Sequence, residues 1–315
     1  MSIVFFGSDD FAAVCLKELA RSSHQVIGCV TSPDARQGRG MKIELSAVKA
    51  IALEANLLCL QPPSLKAESI VGQLKALEAD IFVVVAYGKI LTQVILNIPK
   101  LFCVNVHGSL LPKYRGAAPI NWAIINGDRQ TGLTIMKVNT CMDAGDIISQ
   151  QTIPLSEHTT ADELRAQMAP VGAKLLIKTL DDIQAGHFTC TVQDESKVTL
   201  APKLTKEMGR MDWQQSAQAI ERLIRGLKPW PGTFAFYKDK MLKILEASVI
   251  KVQGKPFDSA QGKPGTVVDI GKQGFVVACG QGGLLVKRVH LEAAKMMSAY
   301  DFVQGYRLKT GEQLD

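Results

Sequence analysis

Over its first 185 or so residues the chain alternates short apolar runs with amphipathic stretches, and no other feature restricts the fold as much. Residues 3–6, 26–31, 58–61, 81–86, 102–106 and 133–138 are apolar or β-branched. Residues 11–20, 47–55, 68–77, 119–126 and 160–184 lie between or after them and repeat apolar positions at helical spacing. Alternation of this kind predicts an α/β domain with a parallel sheet and helices on both faces. The site of such a sheet lies beyond the carboxyl ends of its strands.

The pattern fails over residues 187–206, where Thr, Gln, Asp, Ser and Lys dominate and Ala201-Pro202-Lys203 interrupts any helix. The expected organisation is therefore a first domain over residues 1–188, a linker over 189–207 and a second domain over 208–315. That second domain opens with a helix at 216–225. Five strand-like runs follow, at 233–237, 241–249, 265–269, 274–279 and 284–290, which predict a small, OB-like β-barrel. Gln-Gly-Lys-Pro occurs at 253–256 and again at 261–264, as a loop expansion would leave it.

Charge follows the same division. Residues 1–200 hold 18 Lys and Arg against 19 Asp and Glu, whereas residues 201–315 hold 18 against 11. The net charge of +6 thus belongs to the C-terminal third. A segregated positive field points to a polyanionic partner. No stretch approaches the length of apolar residues that a membrane span needs. The first strand begins right after Met1, leaving no room for a leader, so a cytoplasmic protein without membrane contact is expected. The seven cysteines are odd in number, far apart and without a Cys-x-x-Cys pair, consistent with reduced thiols.

Chemistry concentrates in Asn105-Val106-His107-Gly108-Ser109-Leu110-Leu111-Pro112, which leaves a strand, and in Met142-Asp143-Ala144-Gly145-Asp146. Strand side chains alternate, so Asn105 and His107 project to one side. For an isolated Asn-x-His, a turn-capping Asn and a core His would be the better account. Gly108 and Pro112 favour a site, because glycine admits close backbone approach and proline fixes the loop's exit. A carboxylate from Asp143 could orient and charge-balance the imidazole; Asp146 is as readily a turn cap. An amide donor, an imidazole and a carboxylate together suit acyl transfer through a tetrahedral intermediate, without metal or covalent enzyme adduct. The histidines (24, 107, 158, 187 and 290) show no metal-ligand spacing, and no Gly-x-Ser-x-Gly elbow is present. The single glycine of Gly7-Ser8-Asp9-Asp10-Phe11-Ala12 disfavours dinucleotide binding. Residues 32–42 form a basic loop on glycine hinges whose Arg36, Arg39 and Lys42 suit phosphate contacts.

These residues resemble the methionyl-tRNA formyltransferases, within the 10-formyltetrahydrofolate-dependent formyltransferase family, over nearly the whole chain. Asn105 with His107, the run from Ser109 to Pro112, Tyr114-Arg115-Gly116-Ala117-Ala118-Pro119-Ile120 and the run from Asp143 to Asp146 carry the general signature. Glycinamide ribonucleotide formyltransferases, formyltetrahydrofolate hydrolases and sugar-nucleotide N-formyltransferases share it. The tRNA enzymes are marked by Gly38-Arg39-Gly40, Lys203-Leu204-Thr205-Lys206-Glu207, Ile224-Arg225-Gly226-Leu227, the connector at Trp230 and the basic barrel.

The resemblance implies a Rossmann-like formyltransferase domain and a C-terminal OB-like barrel. It also implies formyl transfer from 10-formyltetrahydrofolate to methionyl initiator tRNA by a metal-free monomer. Asn105, His107 and Asp143 would be catalytic. Tyr87, Gly88, Ile90, Leu91, Ser109, Leu110, Leu111 and Pro112 would contact the folate, largely through backbone groups. Arg36, Arg39, Lys42, Lys203 and Lys206 would contact tRNA. Departures are few: Ser8-Asp9 replaces Thr-Pro, Ala47 replaces Pro, and Cys141 replaces a Gly. Cys141 would be strained if its position demands a positive φ. A sugar-nucleotide or small-amine N-formyltransferase is the nearest alternative, but it has no use for a basic second domain. A non-catalytic RNA-binding protein is more remote.

Overall fold

A computed structural model describes residues 1–37, 42–250 and 262–315. The chain runs through β1 (Ser2–Gly7), α1 (Asp10–Leu19), β2 (Gln25–Val30), β3 (Ala35–Gln37), β4 (Lys42–Glu44), α2 (Ala47–Glu54) and β5 (Cys59–Leu60). It continues through α3 (Glu68–Ala76), β6 (Ile81–Val85), α4 (Gln93–Leu96), β7 (Cys103–His107), β8 (Arg115–Gly116) and α5 (Pro119–Ile125). Then come β9 (Gln130–Lys137), β10 (Ile147–Pro154), α6 (Ala161–Gln184) and β11 (Leu200–Ala201). The C-terminal part adds α7 (Ala217–Gly226), β12 (Thr233–Tyr237), β13 (Lys240–Val249), β14 (Val267–Gly271), β15 (Gly274–Ala278), β16 (Gly283–Leu291), β17 (Met296–Ser298) and α8 (Ala299–Tyr306).

Contacts divide the chain into two compact units. The first holds residues 1–119, 130–154 and 163–202; the second holds 120–129, 155–162 and 203–315. Residues 189–202 therefore cluster with the first unit, where β11 pairs with β8.

The first unit is built on a seven-stranded sheet in the order β10-β9-β7-β6-β1-β2-β5. From β5 to β7 every pairing is parallel. β1 and β6 are covered on both faces, which is why they read as unbroken apolar runs. The sheet is thus mostly parallel, as expected; β9, which pairs antiparallel with β7, and β10, antiparallel to β9, are the departures. β10 is an edge strand of sequence Ile-Ile-Ser-Gln-Gln-Thr-Ile-Pro with one buried residue, Ile153, so its sequence carries no strand period. The chain leaves β1 for β2 on one side and returns to β6 on the other, which sets the switch point of the sheet between β1 and β6.

Helix starts are chemically marked. Asp9 Oδ1 accepts from Ala12 N at 3.0 Å ahead of α1, and Ser46 Oγ accepts from Lys49 N at 3.1 Å ahead of α2. The serine cap serves α2 without the proline that Ala47 replaces.

The second unit carries an antiparallel sheet in the order β12-β13-β16-β15-β14, with β17 also on β16. β12 and β14 do not pair directly, but the C-terminal residues bridge them. Phe236 and Asp315 exchange backbone hydrogen bonds at 2.8 and 3.1 Å, while Leu314 N donates to Gly265 O at 2.9 Å and Val267 N to Glu312 O at 2.8 Å, which closes the sheet as a barrel requires. Its core gathers Phe275 and Phe302, both wholly buried, with Tyr237 packed edge-on to Phe302 at 5.4 Å. Among the described residues no helix is long and apolar enough to cross a membrane.

Candidate active site

β7 delivers Asn105 and His107 to one face at its carboxyl end. Asn105 is half-buried, and its side-chain amide makes no hydrogen bond among the described residues. His107 is 5 % exposed; its Nε2 donates to the Tyr114 carbonyl at 2.9 Å, and its Nδ1 lies 3.6 Å from Asp143 Oδ2. Asp143 Oδ2 in turn accepts from Gly116 N at 2.8 Å.

The route by which Asp143 arrives differs from the expected pair of neighbouring parallel strand ends. β9 runs antiparallel and ends at Lys137, beside Val104, so the loop after it starts away from the carboxyl edge of β7. It folds back to bring Asp143 over the imidazole. Two positions make that path possible. Asp143 itself takes φ +51, whereas Cys141 is exposed and is not a positive-φ residue. A Cβ on Gly145 would stand 1.8 Å from the Lys137 carbonyl oxygen, closer than any side chain tolerates. Asp146 supplies its carbonyl to Lys137 N at 2.9 Å.

The loop opposite needs a glycine as well. Gly116 has φ +130, and a Cβ there would meet the Ala201 carbonyl oxygen at 2.5 Å.

The wall from Ser109 to Pro112 is pinned from beneath. Thr134, wholly buried on β9, donates its Oγ1 hydrogen to Ser109 O at 2.7 Å and accepts from Leu111 N at 3.1 Å. Gln150 Nε2 donates to Leu111 O at 3.0 Å and to Thr134 Oγ1 at 2.9 Å. Ser109 Oγ closes the turn by donating to Lys113 O at 2.6 Å, and Leu111 is buried while Leu110 and Pro112 are half-buried. The Leu111–Pro112 peptide is cis.

The loop after β6 exposes Ala86, at φ +44, and Gly88, at φ +75 with open space where a Cβ would stand. Ile90 is 80 % exposed, and Leu91 is buried. Tyr87 turns its ring into the core, edge-on to Phe6 at 5.6 Å, so only its backbone remains for a ligand. Burial pushes its hydroxyl up to about 12.

The basic candidates come from both units. Arg36 and Lys42 belong to the antiparallel pair β3 and β4, and Arg39 lies outside the described residues. Lys203 and Lys206 are exposed residues of the second unit. Sequence reasoning missed Thr134, Gln150, Gln193 and Glu195. Gln193 and Glu195 hold Arg115, through Nε at 3.0 Å and through the guanidinium fork at 3.2 and 2.8 Å. Glu195 is consequently held below the usual carboxylate range by its bonds to Arg115.

Comparison with known proteins matches residues 1–180 to the family described as formyl transferase and residues 203–307 to the formyl transferase C-terminal domain. Methionyl-tRNA formyltransferase of Geobacter metallireducens is 41 % identical over 100 % of this chain and 98 % of its own length. The chain belongs to the methionyl-tRNA formyltransferase family. Solved structures share the fold at lower identity. An N-formyltransferase from Helicobacter canadensis, in complex with folinic acid and dTDP-3-aminofucose, superposes with a TM-score of 0.65 at 15 % identity, covering 90 % of this chain and 98 % of that one. HypX from Aquifex aeolicus in complex with tetrahydrofolic acid gives 0.61 at 17 % identity, covering 99 % of this chain and 48 % of that one. In this methionyl-tRNA formyltransferase family member, Asn105 and His107 share one face at the end of β7, and the Asp143 carboxylate comes within 3.6 Å of the imidazole.

Proposed function

We propose that the chain transfers the formyl group of 10-formyltetrahydrofolate to the α-amino group of methionine on charged initiator tRNA, as a cytoplasmic monomer. The amide of Asn105, without a hydrogen-bond partner among the described residues and two positions from the His107 that faces Asp143, carries the reading. The residues present fit a folate: the exposed backbone of Gly88 and the wall from Ser109 to Pro112, held in one shape by Thr134 and Gln150, make a fixed surface for a flat heterocycle. The bound folate supplies an activated formyl group.

Asn105 Nδ2–H donates to the formyl oxygen as negative charge grows there, a contact worth on the order of 3 kcal/mol in the barrier. His107 takes up the proton released by the attacking amine and helps protonate the departing folate nitrogen as its bond to the formyl carbon breaks, which frees tetrahydrofolate. Proton handling of this kind contributes roughly 10²–10⁴-fold. Asp143 keeps the imidazole oriented and balances its charge. Arg36, Arg39 and Lys42, with Lys203, Lys206 and the basic second domain, bind the tRNA through its phosphates.

Incubation with 10-formyltetrahydrofolate and three acceptors tests the reading: charged initiator tRNA, charged elongator tRNA and a nucleotide-linked amino sugar. Formyl incorporation is expected into the initiator alone. Preference for the amino sugar would overturn the assignment.

A further inference from the structure

Gln193 lies in a stretch that the sequence presents as a connector, yet it is 5 % exposed. Its Oε1 accepts from Arg115 Nε at 3.0 Å. Its Nε2 donates both hydrogens, to the carbonyl of Asp143 at 2.9 Å and to that of Gly145 at 2.7 Å. A carboxylate has no proton to give those carbonyls, and an apolar side chain could serve none of the three partners.

The two ends of this bridge are the two segments that hold His107 and Asp143. On one side, Arg115 stands between Tyr114, whose carbonyl accepts from His107 Nε2, and Gly116, whose amide donates to Asp143 Oδ2. The same short segment is tied to its neighbour by Arg115 N donating to Thr199 O at 2.9 Å and Tyr114 N donating to Thr199 Oγ1 at 2.9 Å. On the other side, Asp143 adopts φ +51, a region that a residue with a Cβ occupies only where its surroundings impose it. Gln193 grips the carbonyl of that residue and the carbonyl two positions on. The aspartate backbone and the arginine are thereby locked through one planar amide.

We propose that Gln193 is the positioning residue of the catalytic pair, holding the Asp143 carboxylate against His107 by tying the carbonyls of Asp143 and Gly145 to Arg115. The assignment rests on the formyl-transfer reading of the site. Gln193 touches neither substrate; it acts through Asp143. Its effect on turnover therefore depends on the carboxylate being present, whereas a tie that only supports the fold acts the same whatever side chain stands at position 143.

A double-mutant cycle on the full chain separates the two. Gln193→Met is expected to lower kcat about 10- to 100-fold, the loss that follows when reacting groups are displaced by about an ångström. KM for both substrates should stay within about threefold, because neither binding surface is touched. In an Asp143→Asn background the same substitution should cost less than about threefold, since coupled residues are non-additive. Gln193→Glu keeps the acceptor for Arg115 and removes both donors; it should repeat the pattern, and it serves the cycle if the methionine variant does not fold. Equal losses in both backgrounds, or unaltered kcat in both variants, would overturn the assignment. An unaltered chain that formylates initiator tRNA while the cycle is additive sinks this proposal alone; an unaltered chain without that activity sinks the reading of the site together with it.

Discussion

His107 and Asp143 approach to 3.6 Å, but they are anchored on opposite sides of Arg115, the imidazole by the Tyr114 carbonyl and the carboxylate by the Gly116 amide. Their spacing is thus set by a short run of backbone rather than by a direct bond between them. Two unit charges about 4 Å apart interact by roughly 4 kcal/mol at an effective dielectric of about 20, and the energy falls inversely with distance. An added ångström would forfeit about a fifth of it. Arg115, which stands between the two anchors, is itself held by Gln193 and Glu195.

Among the described residues the Asn105 side chain has no hydrogen-bond partner to lose, so its truncation separates catalysis from stability. Asn105→Ala is expected to lower kcat about 10²–10³-fold. Folate affinity should change by a few-fold at most, and unfolding free energy by less than about 0.5 kcal/mol. Steady-state kinetics, folate titration and a denaturant melt check the three statements; a kcat close to that of the unaltered chain would remove the oxyanion role.

Thr134→Val keeps the shape of the side chain and deletes its hydroxyl. Ser109 O then loses its donor, and Leu111 N and Gln150 Nε2 lose an acceptor, in a position with no solvent access. Each buried group left unpaired costs about 1–3 kcal/mol. The expected outcome is a chain that is less stable and binds folate more weakly, with KM for tRNA changed much less. Calorimetry with a folate analogue measures the first loss, and parallel tRNA kinetics measure the contrast. Equal weakening toward both substrates would show that the wall does not belong to the folate site.

Parts of this arrangement were legible in the sequence for identifiable reasons. β1 and β6 are buried on both faces and so announce themselves as apolar runs, and the period of a strand is enough to put Asn105 and His107 on one side. β10 escaped because an edge strand facing solvent carries Ser, Gln and Thr where a core strand carries Val and Ile. Strand direction was not legible: nothing in residues 130–137 distinguishes an antiparallel neighbour from a parallel one. Thr134, Gln150 and Gln193 escaped for a deeper reason. A polar residue that pins a loop looks like any other polar residue until its partner is known, and Gln193 lies 50 positions from Asp143. The ring of Tyr87 shows the converse, since a residue in the right loop can still spend its side chain on the core.

Asp80 gives the fold a defined acid sensitivity. Its carboxylate accepts from Ser2 N at 2.7 Å and from Lys100 Nζ at 3.1 Å, and those bonds, the Ser2 amide first, hold it below the usual carboxylate range. A folded-state value below the unfolded value of about 3.9 means that the contribution is present above that pH and is lost as pH falls through the folded value. Asp80→Asn should therefore be less stable than the unaltered chain at pH 6, and the gap should close as pH drops below about 4. Urea unfolding from pH 6 downward measures it. A gap that stays constant with pH would show that the carboxylate's charge is not what binds β1 to β6 at this end.

The basic excess of residues 201–315 makes a prediction of a different kind, about a partner rather than the fold. Lys203 and Lys206 are exposed, so neither is required for packing, and their replacement by alanine should leave stability within about 0.5 kcal/mol. If each neutralises a tRNA phosphate, the dependence of log affinity on log salt should be steep in the unaltered chain and shallower by about one for each lysine removed. Formyl-folate binding should respond far less, because a folate carries only the two carboxylates of its glutamate tail against the many phosphates of a tRNA. Filter binding or fluorescence titration across a salt series measures the slopes. Loss of affinity without any change in slope would place these lysines outside the phosphate contacts and leave the field of the second domain to other residues.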